Sequence, residues 1–163
     1  MLLNLTEERF PLSTQNLETD YLVIGAGAMG LAFADELIRS NPTVRLILVD
    51  KHAKPGGHWN DAYPFVSLHQ PSAYYGVNSI KLGSGGASLA SGVEVLSYFE
   101  RVIDKLLRTG RVQYFSMCEY QGEGLFSSIV TPDQHYRVKV LKKTVDSTYM
   151  NVQVPSTTPP KYA

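Results

Sequence analysis

The sequence predicts an α/β fold with a parallel sheet at its centre, and three observations support this prediction. An apolar run at 21–24 is followed by helical periodicity over 28–40 and then by a second apolar run at 44–50. This strand–helix–strand unit is about thirty residues long, as a parallel crossover connection requires. Near the end of the chain, segments that alternate apolar and polar residues indicate a small antiparallel β-meander.

Composition and charge exclude several classes of protein. The chain has 163 residues, of which 44% are hydrophobic, so it can form one domain with a real core. Its 15 basic and 15 acidic residues leave no net field that would attract nucleic acid, and Lys142-Lys143 is the only local basic cluster. A single cysteine, the absence of a membrane-length apolar run and an acidic N-terminal segment predict a cytoplasmic protein with no membrane span.

The first strand and helix have clear limits in the sequence. Residues 1–19 are polar and irregular, which predicts a lead-in, and the domain itself is expected over 20–150. The strand at 21–24 is short, apolar and ended by glycine, as is typical of a strand buried on both faces of a parallel sheet. The helix at 28–40 repeats its apolar residues near the helical period and is ended by Pro42, because proline cannot continue a helix.

Between 51 and 92 regular patterns give way to proline, glycine, serine and aromatic residues. Loops of this length in compact domains are usually functional, and aromatic residues argue against disorder, so an ordered segment that lines a site is predicted. Its aromatic side chains could instead form a satellite core beneath the loop. Ser84 lies outside any recognisable nucleophile motif. His52, His58 and His69 have no cysteine or carboxylate companions at the spacing of a metal site, so no metal is expected.

A second helix is predicted immediately after this loop. Ser91 and Glu94 match a capping box, in which the serine caps the helix and the acid caps the serine. The apolar residues that follow share one face until Gly110, which can end the helix.

The last third of the domain is predicted to be β-structure. One alternating strand is expected over 111–120, and shorter strands at 125–130 and 135–145 are joined by a turn that contains Pro132. Residues 151–163 contain three prolines and little to bury, so they are expected to form a tail or linker.

Three glycines lie at the junction between the first strand and the first helix. Gly25, Gly27 and Gly30 fit the spacing G-x-G-x-x-G. Gly25 permits a tight turn, Gly27 lets the backbone approach a pyrophosphate, and Gly30 allows close packing of the helix. The helix then directs its free N–H groups and the positive end of its dipole toward the phosphates.

Asp50 lies at the end of the second strand, where its carboxylate can accept hydrogen bonds from ribose hydroxyls. Together with the glycine turn it predicts a Rossmann-type dinucleotide site. Because a carboxylate repels a 2′-phosphate, NADP is the least favoured ligand of this site. The sequence Pro55-Gly56-Gly57 favours a loop where a plain NAD domain would begin a helix, and its bare backbone beside Trp59 suggests a second close approach to a flat ligand.

Four segments of the chain, within about 20–160, resemble the FAD-binding part of flavin-dependent oxidoreductases that have two dinucleotide folds. The resemblance is to flavin-containing and Baeyer–Villiger monooxygenases in particular. Its most specific parts are the glycine fingerprint with Asp50 and the sequence GGHW. The four segments are VIGAGAMGLAFADEL, LILVDKHAKPGGHWNDAYP, HQPSAYYGV and VDSTYMNVQVPSTTPP.

The resemblance implies an FAD site with three parts. Asp50 would hold the adenosine ribose with Lys51 beside it, and the strand near Cys118 would pair through its backbone with the adenine edge. The pyrophosphate would be bound at the glycine turn by Gly25, Gly27, Met29 and Gly30. The ribityl chain and flavin would be faced by Gly57, His58 and Trp59, with His69 and Gln70 near the isoalloxazine ring.

Compared with that family the fold is expected to be incomplete. Family members are much longer and carry a second glycine fingerprint for NADPH, which this sequence lacks together with the monooxygenase signatures and the final strand that closes over the flavin phosphates. The sequence therefore resembles the first segment of a split FAD domain. It could be a truncated product, a chain that a partner completes, or a chain that folds alone with partial cofactor contacts. NADPH could act as co-substrate only if a second domain or partner supplied its site.

The predicted function is FAD binding within a flavin-dependent oxidoreductase of monooxygenase type, in which the flavin performs the redox chemistry. No catalytic acid, base or nucleophile can be named from these residues. Two alternatives remain open, a non-catalytic remnant or regulatory binding module and a plain NAD-binding domain.

Overall fold

The computed structural model describes residues 13–148, which contain two α-helices and six strands. Two short 3₁₀ helices, Gly57–Asp61 and Ser72–Tyr74, lie within the long loop that precedes the second helix. The elements are β1 (Ser13–Ile24), α1 (Ala28–Ser40), β2 (Leu46–Val49), α2 (Gly92–Arg108), β3 (Val112–Phe115), β4 (Cys118–Gly122), β5 (Leu125–Ser128) and β6 (Gln134–Asp146).

The six strands form one sheet in the order β3-β2-β1-β6-β5-β4. The four adjacent strands β3, β2, β1 and β6 run parallel to one another. The other two pairs, β6 with β5 and β5 with β4, are antiparallel and form a meander. The predicted α/β class, with a parallel sheet and a small antiparallel portion, is confirmed.

The first strand is much longer than the sequence indicated. It begins at Ser13, which pairs with Gln134, so the expectation of an irregular lead-in over 1–19 is wrong for 13–19. This half of β1 pairs with β6 alone and is mostly exposed, and its polar side chains therefore carry no burial pattern. The predicted tail at 151–163 lies outside the described residues.

The single strand predicted over 111–120 is divided into β3 and β4. Met117, with φ +51°, lies at the break, and its N–H donates to the carbonyl of His52. Within two residues the chain thus leaves one edge of the sheet and begins the strand at the other edge. A side-chain alternation cannot reveal this break, because a left-handed residue changes the direction of the backbone without changing the polarity pattern.

Both helices follow their predicted limits. Helix α1 covers Ala28–Ser40, and α2 begins with the predicted capping box. The Ser91 Oγ accepts the Glu94 N–H at 3.3 Å, and the Glu94 carboxylate accepts the Ser91 N–H at 2.8 Å. Within residues 13–148 no helix combines the length and the apolar character that crossing a bilayer requires.

The sheet is covered on both faces, as the continuous apolar runs of its parallel strands predicted. Val23 and Leu48 face the helices and share a core with Leu31 and Phe99. On the opposite face a second core contains Leu22, Ile24, Ile47, Val49, Cys118, Phe126, Tyr136 and Val138. The meander therefore curves beneath β1 and β2, and this curvature brings the start of β4 to the ends of the parallel strands.

Candidate functional site

A cavity of about 610 Å³ opens at the carboxyl ends of β1, β2 and β6. Ligands of open α/β sheets bind outside the carboxyl ends of the strands, so this is the expected place for a site. Five short stretches form its wall: the glycine turn, the segment after β2, the start of the first 3₁₀ helix, the start of β4 and the end of β6. Its residues are Ile24, Gly25, Gly27, Ala28, Met29, Val49, Asp50, Lys51, His52, Gly57, His58, Cys118, Glu119, Tyr120, Asp146, Ser147 and Thr148.

The glycine turn needs glycine for two different reasons. Gly25 has φ +97°, a conformation that side chains rarely adopt. A Cβ on Gly30 would lie 2.0 Å from the carbonyl oxygen of Gly25, a distance that no packing adjustment can accommodate. Gly30 therefore lies beneath the turn and holds it in shape, whereas Gly25 and Gly27 reach the cavity.

The start of α1 is open toward the cavity. Its N-cap is Gly27, and among the described residues no side chain caps it and its first turn contains no acid. Ala28 and Met29, the first residues of the helix, line the cavity, and Met29 is 71% exposed. The free N–H groups of this first turn, with the positive end of the helix dipole, form an anion-binding surface.

Asp50 braces the turn from the neighbouring strand. Its side chain is buried, and its Oδ2 accepts the N–H of Ala26 at 2.5 Å. Its Oδ1 accepts the backbone N–H of His52 at 2.7 Å and lies 2.8 Å from the ring Nδ1 of the same residue. The acid at the end of β2 thus borders the cavity and also fixes the backbone on which a diphosphate would rest.

His52 is held between two carboxylates. Its Nε2 lies 3.0 Å from Oδ2 of Asp61, whose side chain is 70% exposed. Sequence reasoning gave neither residue a role, because Asp61 reaches His52 only through the fold of the intervening loop. Within residues 13–148 no group of three His, Cys, Asp or Glu side chains is arranged so that it could hold a metal ion.

The bare backbone of Gly56-Gly57 packs against the glycine turn. The Gly56 N–H donates to the carbonyl of Ala26 at 2.8 Å, and a Cβ on Gly57 would lie 3.0 Å from the Cα of Gly27. A Cβ on Gly56 would meet Leu96 at 2.5 Å. The bare backbone at Gly56-Gly57 was expected to let a flat ligand approach closely. In the structure it lets this segment pack against the glycine turn, and Gly57 also reaches the cavity.

Of the residues expected beside the flavin, some line the cavity and others do not. His58 lines the cavity and stacks on Trp59 at 5.4 Å between ring centroids. Trp59 itself is buried in the helix-side core, and its Nε1 donates to the Tyr75 hydroxyl at 2.7 Å. Gln70 is exposed and donates to the carbonyl of Tyr74. Trp59 and Gln70 do not line this cavity, and Trp59 belongs to the main core rather than to a satellite core.

Cys118 borders the cavity from the start of β4 but is almost completely buried. Burial raises the pKa of its thiol. Its backbone N–H donates to the carbonyl of Asp50 at 3.0 Å, so this group is not free to pair with an adenine edge. Glu119 and Tyr120, which the sequence did not single out, line the cavity beside it.

The end of β6 closes the remaining side of the cavity. The Ser147 Oγ donates to the carbonyls of Ile24 at 2.6 Å and Gly25 at 3.1 Å, and Asp146 and Thr148 complete this wall. A strand therefore stands beside β1 and reaches the glycine turn. The sequence predicted a strand over 135–145 but not its pairing with β1, because the first half of β1 is polar.

The sequence matches the NAD(P)-binding Rossmann-like domain family over residues 23–84. Uncharacterised proteins of Mycobacterium bovis and Mycobacterium tuberculosis are 48% identical to it over 160 aligned residues, which cover 91% of this chain. The chain spans about 29% of the length of these curated relatives. The region matched by this family, residues 23–84, contains the glycine turn and Asp50.

Solved structures of monooxygenases share the fold. A flavin-containing monooxygenase from Stenotrophomonas maltophilia superposes with a TM-score of 0.57 and 20% identity, over 81% of this chain and 38% of that protein. The polycyclic ketone monooxygenase of Thermothelomyces thermophila gives a TM-score of 0.58 and 18% identity, over 86% of this chain and 24% of that protein. The predicted resemblance to flavin monooxygenases is confirmed at the level of the fold.

Proposed function

We propose that the chain binds FAD in this cavity and forms the FAD-binding part of a flavin-dependent oxidoreductase of monooxygenase type. The observation that carries the proposal is the open start of α1 at Gly27, which borders the cavity together with Asp50. The cavity volume of about 610 Å³ lies within the range of small-molecule sites.

The proposed diphosphate position is supported by the space and charge around the helix start. A Cβ at Gly27 would have only the backbone of Gly57 within 4 Å, so the side toward the cavity is open. The N–H groups of Ala28 and Met29 lie in the first turn of the helix, where N–H groups have no partner within the helix. Lys51 adds a positive charge to the cavity wall.

FAD is favoured over NAD by the segment that follows β2. That segment contains two 3₁₀ helices and no crossover α-helix before α2, and the flavin monooxygenases share the fold over most of the chain. When bound, the flavin would supply the redox chemistry, and the chain would bind and orient it. We assign NADPH only to a second domain or a partner chain, and we propose a cytoplasmic location.

The experiment is to purify the 163-residue chain and identify any cofactor that it carries. A yellow protein that releases FAD on denaturation, or an apoprotein that binds added FAD more tightly than FMN or NAD, is the expected result. A colourless protein that binds NAD in preference to FAD would instead support the plain NAD-binding domain, which the match over residues 23–84 favours. NADPH added to this chain alone should leave the flavin oxidised, because the NADPH site is assigned to a second domain or a partner chain.

A further inference from the structure

We infer that His52 restricts Asp50 to a single ribose hydroxyl of the bound adenine nucleotide, and that Asp61 holds His52 in the position that does so. This inference rests on the proposed function, because it requires the adenosine diphosphate unit of a dinucleotide to occupy the cavity. It concerns the choice between the two ribose hydroxyls, which the glycine fingerprint and Asp50 do not determine by themselves.

The restriction follows from the number of acceptor positions on Asp50. An ionised carboxylate has about four lone-pair positions. One position on Oδ2 is used by the N–H of Ala26, and both positions on Oδ1 are used by the backbone N–H and the ring Nδ1 of His52. A single position on Oδ2 therefore remains for a ligand.

An adenosine ribose presents two neighbouring hydroxyls, at its 2′ and 3′ carbons. A carboxylate with both oxygens open can accept both of them, one on each oxygen. With Oδ1 of Asp50 filled by His52, only one hydroxyl can bind this carboxylate, and the other must face water or another group.

Asp61 makes this arrangement persistent. The imidazole of His52 has a contact at each nitrogen, to Asp50 at 2.8 Å and to Asp61 at 3.0 Å, and its side chain is only 15% exposed. Rotation of the ring to free Oδ1 would break both contacts. The 3₁₀ turn that carries Asp61 is tied back by Asn60, whose side-chain amide donates to the carbonyls of Lys54 and Gly57.

The test compares three nucleotides on the full chain after any co-purified flavin is removed. Calorimetric titrations with ADP, 2′-deoxy-ADP and 3′-deoxy-ADP are made for the wild type, His52→Ala and His52→Gln. For the wild type we expect one deoxy analogue to bind about tenfold or more weakly than ADP, as loss of a hydrogen bond to a charged group predicts, and the other to bind within about twofold of ADP.

In His52→Ala the backbone N–H still reaches Oδ1, but the second position on that oxygen is free. Both deoxy analogues should then bind about tenfold more weakly than ADP. His52→Gln retains a side-chain donor and should restore the wild-type pattern. Since Asp61 is exposed, Asp61→Ala offers a second variant that leaves the core intact, and it should shift the pattern in the direction of His52→Ala.

Equal weakening of both deoxy analogues in the wild type would overturn the inference and leave the proposed function standing. The same holds if folded His52→Ala and Asp61→Ala keep the wild-type pattern. A wild-type chain that binds none of the three nucleotides and no FAD would overturn the proposed function, and the inference with it.

Discussion

The carboxylate of Asp50 accepts the backbone N–H of Ala26 at 2.5 Å, across 24 residues of sequence. The acid at the end of β2 is therefore a structural brace of the glycine turn as well as a candidate ligand-binding group. The two roles can be separated by experiment, because the brace stabilises the protein with no nucleotide present.

Asp50→Ala should destabilise the nucleotide-free protein by about 2 kcal/mol or more. The substitution leaves the N–H groups of Ala26 and His52 without their acceptor, and an unsatisfied buried donor costs about 1–3 kcal/mol. Urea denaturation followed by circular dichroism measures the change. Asp133→Ala, an exposed acid in the turn before β6, is the matched control and should change stability by less than about 0.5 kcal/mol. Equal stability of Asp50→Ala and the wild type would contradict the bracing role.

Gly27→Ala should fold normally and bind FAD at least about tenfold more weakly. Its φ of −82° suits alanine and its Cβ would meet only the backbone of Gly57 at 3.4 Å, so stability should change by less than about 1 kcal/mol. Gly30→Ala is the contrasting variant, since its Cβ would lie 2.0 Å from the Gly25 carbonyl oxygen, and it should be severely destabilised. Thermal denaturation and FAD titration measure the two effects. Wild-type FAD affinity in Gly27→Ala would place the pyrophosphate elsewhere.

Tyr98→Phe should lower stability by about 1–3 kcal/mol without altering FAD affinity. The Tyr98 hydroxyl accepts the N–H of Val77 at 2.7 Å and donates to the carbonyl of Ile80 at 2.8 Å, so it fixes the end of the long loop against α2. Denaturant midpoints measure the loss. Tyr74→Phe removes a hydroxyl from a side chain that is 82% exposed, and it should leave the midpoint unchanged. A large loss of FAD affinity in Tyr98→Phe would show that this part of the loop contributes to the site.

Cys118 should react with iodoacetamide more slowly than a free cysteine at pH 8. Burial raises the pKa of its thiol, so at any given pH a smaller fraction is thiolate, and the rate should increase over a higher pH range than for the free amino acid. Mass spectrometry of timed samples measures the rate, and urea should restore normal reactivity. Since Cys118 lines the cavity, added FAD should slow the reaction further. Reaction as fast as that of free cysteine would show that the start of β4 opens readily.

The parts of the fold that the sequence predicted correctly depend on local rules. The limits of α1 and α2 follow from Pro42 and from the Ser91 and Glu94 capping box, which act on the backbone within a few residues. The positions of Gly25, Gly27 and Asp50 around one cavity follow from the strand–turn–helix spacing, because parallel strands end at the same edge of the sheet.

The features that the sequence did not predict depend on contacts between distant segments. The pairing of Ser13 with Gln134 involves the polar first half of β1, in which no burial pattern marks a strand. The contact of His52 with Asp61 depends on a loop conformation that periodicity cannot indicate. The resemblance to flavin monooxygenases implied that Trp59 faces the ligand, yet the hydrogen bond to Tyr75 and the surrounding core account for its position.

The pairing of β1 with β6 makes the binding cavity one of the last parts of the domain that synthesis can complete. Its wall combines Gly25, near the start of the chain, with Ser147, more than a hundred residues later. Contacts between residues so far apart in sequence form late, because the intervening chain must first be ordered. A nascent chain on the ribosome therefore cannot close this cavity until β6 has emerged.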